Sequence, residues 1–287
     1  MSDGTIILEE SAAAAPCLAR IGGGELFAFT ARAPDKATVN EDTAAAIPCG
    51  PDACVLVIAD GAGGLPAGKR ASATAVAELS RSIESAIDQT TLLRTAILNG
   101  IEAANAAVRA GVSGSATTLT VISVEGRLVR SYQVGDSEAL IVGQRGRIRL
   151  QTLAHSPTGF AVEAGFLNQR EALHHEERHI VSNFVGYDDM RIDVGSTIRL
   201  NPLDTILLAS DGLTDNLHLD EVIERMRCGP LADAGSSLVS LATRRMGDTD
   251  TEMPSKPDDL SVLLFRKPVG KPDAAKLAVE ATETGGA

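Results

Sequence analysis

Acidic residues in this chain recur where apolar segments end. Asp60 follows CVLVIA, Asp136 follows YQVG, and Asp211 follows ILLAS. A carboxylate at the mouth of a buried strand costs free energy unless it is paired with a cation or bound to a metal. No basic residue stands beside Asp60 or Asp211 in the sequence. The pattern therefore predicts a site for a hard divalent cation, because Mg²⁺ and Mn²⁺ prefer carboxylate, carbonyl and water oxygens.

Two further acidic pairs adjoin strand-like segments. Asp258 and Asp259 open the last apolar run of the chain, and Glu41 and Asp42 precede a short one. Each motif taken singly has a plainer interpretation, because Asp-Gly is a common turn dipeptide and Asp-Ser suits a turn or a cap. Repetition at the ends of several strongly apolar segments is what favours a functional centre.

The elements that must position these acids follow from the hydrophobic periods. Short apolar runs and a period of two predict strands over residues 25–32, 54–59, 117–124, 128–134, 139–142, 148–153, 205–209 and 260–265. The helical period predicts helices over residues 65–88, 91–109, 219–226 and 231–245, with a helical insertion over 157–173. Consecutive strands this close are expected to pair antiparallel, because a parallel pair needs a crossover of about a dozen residues. Paired helices and meandering strands indicate an α+β layered fold.

Composition limits the possible functions. The chain has 287 residues, of which 44% are hydrophobic and 22% charged, as is typical of a globular protein. Its 38 acidic and 26 basic residues give a net charge of −12, which argues against nucleic acid or an anionic membrane as a partner. The start lacks a basic signal region, and no apolar run approaches the ~20 residues of a membrane span. A cytoplasmic protein is therefore expected.

Several segments, in their order along the chain, resemble motifs of the metal-dependent protein phosphatases of type 2C (PPM). The resemblance extends from about Glu25 to Arg266. The matching segments are Asn40-Glu41-Asp42; Val57-Ile58-Ala59-Asp60-Gly61-Ala62-Gly63-Gly64; Gly114-Ser115-Ala116-Thr117-Thr118; Gln133-Val134-Gly135-Asp136-Ser137; His155-Ser156; Leu207-Leu208-Ala209-Ser210-Asp211-Gly212-Leu213-Thr214-Asp215; and Pro257-Asp258-Asp259-Leu260-Ser261-Val262.

The resemblance implies a four-layer α/β/β/α sandwich, in which helices flank two antiparallel sheets and the metals lie at one end between the sheets. It implies a bacterial-type protein-serine/threonine phosphatase that acts in signalling on phosphoprotein partners. The implied reaction is hydrolysis of phosphoserine or phosphothreonine by a metal-bridging water, without a phosphoenzyme. Two cations about 3.5–4 Å apart can activate such a water and clamp the attacking and leaving oxygens. Phosphoryl transfer depends mainly on such positioning and charge stabilisation.

The resemblance also implies which residues hold the metal ions, Mn²⁺ or Mg²⁺. Asp60 would bridge two ions and so act as a catalytic residue, and the carbonyl of Gly61 would complete the second site. Asp211 and Asp258 would hold the first ion. Asp136, together with Asp211, would serve a third ion that bacterial members bind.

Glu41 and Asp42 are implied to order metal-bound waters, which makes them candidate catalytic residues. Two positions depart from the family pattern. Ala62 stands where many eukaryotic members have a His that protonates the leaving alkoxide, so the general acid is unassigned. Ala37 stands where members have an Arg that grips the phosphate. Lys36 beside it is the candidate phosphate-binding residue, and its ammonium offers a point charge instead of the bidentate fork of an arginine. Lys36 is explained equally well as a solvated loop lysine.

Two other functions compete with this hypothesis. The missing Arg motivates a catalytically weak or dead phosphatase-like binding module, although a pure scaffold has no need to keep mutually repelling carboxylates. The segment GGLPAGKR, residues 63–70, nearly matches the nucleotide-binding pattern GxxxxGK followed by Ser or Thr. Arg70 occupies the position where that pattern requires a hydroxyl, so a nucleotide hydrolase is the less favoured of the two.

Three segments are expected along the chain. Residues 1–24 form a loosely ordered lead-in, residues 25–267 the phosphatase domain, and residues 268–287 a flexible tail. Residues 155–186 correspond to the variable flap of the family and are a candidate determinant of substrate choice. The sequence leaves the oligomeric state open, with a monomer as the default.

Overall fold

A computed structural model of the chain describes residues 4–9, 15–62, 66–89, 91–111, 114–248 and 253–268. The strands are β1 (Ile6–Leu8), β2 (Cys17–Ile21), β3 (Gly24–Ala31), β4 (Thr43–Pro48), β5 (Ala53–Ala59), β6 (Gly61–Ala62), β7 (Ala116–Thr117), β8 (Leu119–Glu125), β9 (Leu128–Val134), β10 (Glu138–Val142), β11 (Ile148–Gln151), β12 (Asp193–Val194), β13 (Ile198–Arg199), β14 (Thr205–Ala209) and β15 (Leu260–Arg266). The helices are α1 (Pro66–Asp88), α2 (Leu93–Ala110), α3 (Pro157–Glu163), α4 (Gln169–Leu173), α5 (Asp211–Thr214), α6 (Leu219–Met226) and α7 (Leu231–Met246).

The strands form two stacked antiparallel sheets. The first sheet has the order β1-β4-β5-β8-β9-β12, with β13 also paired to β9, and the second has the order β11-β10-β14-β15-β3-β2. Helices α1 and α2 cover the outer face of the first sheet, and α6 and α7 cover the outer face of the second. This arrangement confirms the predicted four-layer α/β/β/α sandwich.

Three apolar layers hold the sandwich together. Val57 packs in the outer layer with Leu79 of α1 and Ile97 of α2, whereas its neighbour Leu56 lies in the layer between the sheets. Consecutive strand side chains point to opposite faces of a sheet, so both faces of β5 are buried. Strands buried on both faces lose the apolar–polar alternation, which is why CVLVIA and TILLA are continuous apolar runs.

The chain changes sheets between β9 and β10, and here the predicted pairing is wrong. β8 pairs with β9 and β10 pairs with β11, as expected for consecutive strands. β10 pairs on its other side with β14 of the second sheet instead of continuing the meander from β9. The turn at residues 135–137 makes this crossing, and Gly135 adopts φ +97°, which L-residues with a side chain rarely reach. Asp136 is thereby placed where the ends of the two sheets meet.

The N-terminal segment also differs from its prediction. β1 pairs with β4 at the edge of the first sheet, and β2 pairs with β3 at the edge of the second. Within the expected lead-in, residues 6–8 and 17–21 are therefore edge strands of the two sheets. An edge strand needs a partner on only one side and little burial, so its apolar pattern is weak. Apart from Pro268, the expected tail of residues 268–287 lies outside the described residues. In the described parts of the chain, no helix has the length and hydrophobicity to cross a membrane.

Candidate active site

Antiparallel pairing brings the acidic motifs to one end of the sandwich. Thr43 at the start of β4 pairs with Ala59 at the end of β5, so Asp42 and Asp60 lie side by side just beyond the paired strands. In the second sheet Ala209 at the end of β14 pairs with Val262 near the start of β15. The loops that carry Asp60, Asp136, Asp211 and Asp258 therefore all emerge at the same end. The sequence placed these residues at strand ends, and the register of the strands brings them together.

The backbone at Asp60 is fixed by the motif Gly114–Thr118. Its N–H donates to the Thr118 hydroxyl at 2.9 Å, and its carbonyl accepts from the Thr118 N–H and the Thr117 hydroxyl, both at 2.8 Å. Thr118 is buried and also bonds to the Ser137 hydroxyl, next to Asp136. One threonine thus links the loop that carries Asp60 to the loop that carries Asp136.

Two glycines let helix α1 approach the centre closely. A side chain on Gly61 would overlap the Gly68 carbonyl, and one on Gly68 would overlap the Glu41 carboxylate. Ser72, one turn further along α1, donates to the Glu41 carbonyl at 2.5 Å. The glycine of the GK pair in GGLPAGKR therefore has a packing role in this fold. Residues 63–65 of that segment lie outside the described residues.

The loop of Glu41 and Asp42 is held from inside the sandwich. The Asp42 N–H donates to Asn40 Oδ1 at 3.0 Å, and Asn40 Nδ2 donates to the Thr30 hydroxyl at 2.8 Å. Asp42 has no exposed surface at all. Within the described residues, both oxygens of Asp42, Oε1 of Glu41 and Oδ1 of Asp211 are buried and lack hydrogen-bond partners.

Burial and mutual repulsion both oppose ionisation of the Asp42, Asp60 and Asp136 carboxylates. Burial raises the pKa of Asp42 to about 7; the nearby Ser261 and Ser210 hydroxyls act in the opposite direction, and repulsion from Asp259 and Asp211 adds to the rise. Burial first, and then the neighbouring carboxylates, raise the pKa values of Asp60 and Asp136 well above their ordinary range. Carboxylates that are buried, unpartnered and mutually repelling form a donor set that suits divalent cations.

A lysine that the sequence analysis did not assign to the site partly neutralises it. The Lys256 ammonium lies 2.5 Å from Asp211, 2.9 Å from Asp215 and 3.2 Å from Asp258. Burial lowers the pKa of Lys256, but the three carboxylates outweigh it and raise the pKa well above its ordinary value. In the described parts of the chain, no three His, Cys, Asp or Glu side chains are arranged as a ready metal site. The Lys256 ammonium stands among the carboxylates that the family resemblance implies for the first ion.

The backbone of Lys256 is clamped to helix α5. Buried Asn216 accepts from the Lys256 N–H at 2.7 Å and donates to its carbonyl at 2.8 Å, and it also donates to the Gly212 carbonyl at 2.9 Å. The only sequence signal for Lys256 was its position two residues before Asp258. Its contacts with Asp211 and Asp215 join residues more than forty positions apart, which no local pattern reveals.

Lys36, the predicted phosphate-binding residue, lies at the edge of the same centre. Its ammonium bonds to Asp259 at 2.6 Å and to Glu41 at 3.0 Å, and its side chain is 23% exposed. The Asp259 carboxylate also accepts from the N–H groups of Ala33 at 2.9 Å and Glu41 at 2.7 Å. Asp259 therefore fixes the loop before β4, whereas its neighbour Asp258 faces Lys256. The phosphate role of Lys36 stays a prediction.

The buried His155 ties the flap to the loop of Asp136. Its Nδ1 accepts from the Gly135 N–H at 3.1 Å and lies 2.8 Å from the Asn183 amide, so Nε2 carries the proton and donates to Asp193 at 3.1 Å. The His155 carbonyl accepts from Ser182 of the flap. His155 thus has a positioning role.

A cleft of about 540 Å³ opens beside the acidic centre, and we call it the flap cleft. Its walls come from flap helices α3 and α4, from β10 and β11, and from helix α6, while Asp136, Asp211 and Asp215 line the end towards the centre. Burial raises the pKa of Glu138 in this cleft to about 7, with repulsion from Asp215 in the same direction and a Gln151 hydrogen bond opposing it.

Comparison with known proteins agrees with this architecture. The protein phosphatase 2C family profile matches residues 33–241, a range that contains Glu41, Asp60, Asp136 and Asp211 and ends before Asp258. Protein phosphatase PhpP of Streptococcus pneumoniae is 30% identical over 202 residues, which are 67% of this chain and 81% of PhpP.

Solved structures share the fold. The serine/threonine phosphatase of S. agalactiae superposes with a TM-score of 0.70 at 26% identity and covers 85% of this chain and 99% of its own. The catalytic domain of serine/threonine protein phosphatase PstP, solved with two manganese ions, superposes with a TM-score of 0.65 at 24% identity, over 85% of this chain and 98% of its own. Two stacked sheets with a carboxylate centre at one end define a phosphatase fold of this type. The chain belongs to the protein phosphatase 2C family of protein-serine/threonine phosphatases.

Proposed function

We propose that the protein hydrolyses phosphoserine and phosphothreonine in other proteins at a centre of divalent metal ions, Mn²⁺ or Mg²⁺. The observation that carries the proposal is the set of buried carboxylate oxygens without hydrogen-bond partners among the described residues, at the meeting point of the two sheets. Family membership and the two manganese ions in the PstP structure also support the proposal of a divalent-metal centre. Substrate is attacked directly by water, and no phosphoenzyme forms.

The chain's own residues supply the ligands and the positioning. Asp60 and the Gly61 carbonyl, with Asp211 and Asp258, would hold two ions, and Asp136 would contribute to a third. Bound divalent ions supply the positive charge that phosphoryl transfer requires and lower the pKa of a coordinated water. Thr118 and the glycine contacts hold Asp60 and Gly61 in place before substrate arrives.

Glu41 and Asp42 order water molecules beside the proposed metal ligands. Oε1 of Glu41 and both oxygens of Asp42 are unpaired within the described residues, so they can accept hydrogen bonds from ordered water. Lys36 and Asp259 fix the position of Glu41. Ala62 pairs with Ala116 in the β6–β7 ladder and offers no proton to the leaving alkoxide.

The direct test is phosphate release from a phosphothreonine peptide with Mn²⁺, Mg²⁺ or EDTA. We expect turnover with metal and none in EDTA. Asp60→Asn should lower kcat by several orders of magnitude. Glu102→Gln makes the same chemical change at an exposed carboxylate of α2 and serves as the matched control. Full activity in EDTA or a trapped phosphoenzyme would refute the proposal.

The same assay separates the second candidate function, a phosphatase-like binding module. It is favoured by one observation, that both ion pairs of Lys36 are internal while Ala37 replaces the Arg of the family pattern. A module of this kind would bind Mn²⁺ and a phosphopeptide, each measurable by calorimetry, but would release no phosphate.

A further inference from the structure

The flap cleft combines an apolar wall with acidic groups. The apolar lining includes Leu140, Leu153, Val162, Leu173, Leu217 and Ile223. Glu138 lies at the start of β10 within this lining, and Glu163 lies at the end of α3 on the exposed side. The cleft is continuous with the catalytic centre, because Asp136 and Asp211 belong to both.

Glu138 has no cation in the described parts of the chain. Its carboxylate accepts one long hydrogen bond, 3.3 Å from the Gln151 amide. The two arginines that line the cleft have other partners. Arg170 pairs with Asp220 at 3.0 Å, and Arg178 donates to the carbonyls of Leu173 and Ser255.

Glu163 is likewise without a hydrogen bond or ion pair in the described structure. The cleft thus presents two carboxylates that have no ion-pair partner in the described structure, beside apolar side chains and next to the proposed metal centre. An incoming cation stabilises a partly buried carboxylate in such surroundings. The effect is largest when the cation also donates hydrogen bonds to the carboxylate.

We propose that the flap cleft binds the side chain of an arginine or lysine that stands close to the phosphorylated residue in the substrate. This inference rests on the proposed function. Both side chains have an apolar stem and a cationic end, which match the wall and the carboxylates respectively. The guanidinium of arginine, with its planar set of donors, suits Glu138 best. The net charge of −12 attracts such substrates from a distance. Glu138 is then a specificity-determining residue.

The test uses phosphothreonine peptides that differ at one position near the phosphothreonine and carry arginine, norleucine or glutamate there. Norleucine keeps the apolar stem and removes the charge. The quantity measured is the ratio of kcat/KM for the arginine peptide to that for the norleucine peptide, with p-nitrophenyl phosphate turnover as the measure of the metal centre itself. At the best position we expect a ratio of about ten, equivalent to about 1.4 kcal/mol.

Substitutions at Glu138 should change this ratio selectively. Glu138→Gln should lower it to about one or two, and Glu138→Lys should reverse it in favour of the glutamate peptide. Glu163→Gln should lower it less, because Glu163 is exposed. A ratio near one in the unmodified protein, or a Glu138→Gln variant that slows all peptides equally, would overturn the inference.

Failure of the inference and failure of the proposed function give different results. Turnover without an arginine preference contradicts only the cleft assignment. If no substrate is hydrolysed, the cleft is tested by fluorescence anisotropy with a non-hydrolysable phosphonate peptide. The arginine form should then bind about tenfold more tightly than the norleucine form, and equal affinities would overturn the inference.

Discussion

Lys256 neutralises part of a carboxylate cluster whose members otherwise repel one another. Its ammonium contacts Asp211, Asp215 and Asp258 and cannot share that position with a divalent ion. At the proposed first metal site, lysine and metal would therefore compete for the same carboxylates. The side chain stabilises the metal-free protein and would, for the same reason, oppose binding of that ion.

Lys256→Met should lower the unfolding temperature of the metal-free protein and enlarge the increase caused by Mn²⁺. Loss of the ammonium leaves uncompensated carboxylates, and a ligand that binds the folded state raises its stability by mass action. At roughly 2–4 °C per kcal/mol for a chain of this size, shifts of several degrees are expected in thermal unfolding with EDTA and with Mn²⁺. Lys256→Arg keeps the charge and serves as the control. An equal Mn²⁺ shift in all three proteins would contradict this prediction.

Asp258 and Asp259 are adjacent in sequence but have different surroundings, so their amide variants should fail in different ways. Asp258→Asn should weaken Mn²⁺ binding in calorimetry, because it removes a carboxylate of the proposed first metal site. Asp259→Asn should mainly reduce folding stability, by about 1–3 kcal/mol, because an amide cannot accept from Ala33, Glu41 and Lys36 together.

Urea unfolding and metal titration of both variants separate these effects. Each variant is the control for the other. Loss of Mn²⁺ affinity in Asp259→Asn with unchanged affinity in Asp258→Asn would show that the assignment at the start of β15 is off by one residue.

At the scale of elements, helix α1 positions the centre as well as covering the first sheet. Gly68 of α1 contacts Gly61 and Glu41 at distances that exclude a side chain, and Ser72 holds the Glu41 carbonyl. The start of α1 therefore sets the position of one proposed metal ligand and one proposed water-binding carboxylate.

Gly68→Ala should displace the Glu41 carboxylate and the Gly61 carbonyl together. Overpacking of this kind costs about 1–3 kcal/mol, and alanine is otherwise the better helix former. We expect lower stability in urea unfolding and lower kcat, with peptide KM less affected. Gly247→Ala is the matched control, because an added methyl group there meets only an ordinary contact. A Gly68→Ala protein with normal stability and turnover would refute the close approach.

At the scale of the whole molecule, the net charge of −12 acts on every charged substrate before it reaches the centre. Salt screens such fields over about 10 Å at 0.1 M ionic strength. A basic phosphopeptide is attracted and an aryl phosphate anion is repelled, so the two substrates should respond to salt in opposite directions.

Raising NaCl from about 20 to 200 mM at constant Mn²⁺ should lower kcat/KM several-fold for an arginine-rich phosphopeptide. For p-nitrophenyl phosphate it should leave kcat/KM unchanged or raise it slightly. The measurement is initial rates at substrate concentrations well below KM. Parallel salt dependences for the two substrates would show that metal binding or chemistry, and not substrate approach, responds to salt.

Much of this molecule is determined locally and is therefore predictable from the sequence. Apolar periods located the long strands and helices, because burial on one or two faces fixes which positions must be hydrophobic. The Asp residues that follow CVLVIA, YQVG and ILLAS identified the acidic centre, since each stands where its own strand ends. The order of these motifs was enough to predict the family, which the comparisons confirm.

The remaining features depend on contacts between distant parts of the chain. The change of sheet at residues 135–137, the ammonium of Lys256 among three carboxylates, the inward Asp259 and the flap cleft all lack a periodic signal. β2 has a different reason: it pairs locally with β3, but as an edge strand it carries only a weak apolar pattern. The physical reason is that hydrophobic periodicity reports which residues are buried, whereas the partner of a buried charge depends on which loops the completed sandwich brings to one end.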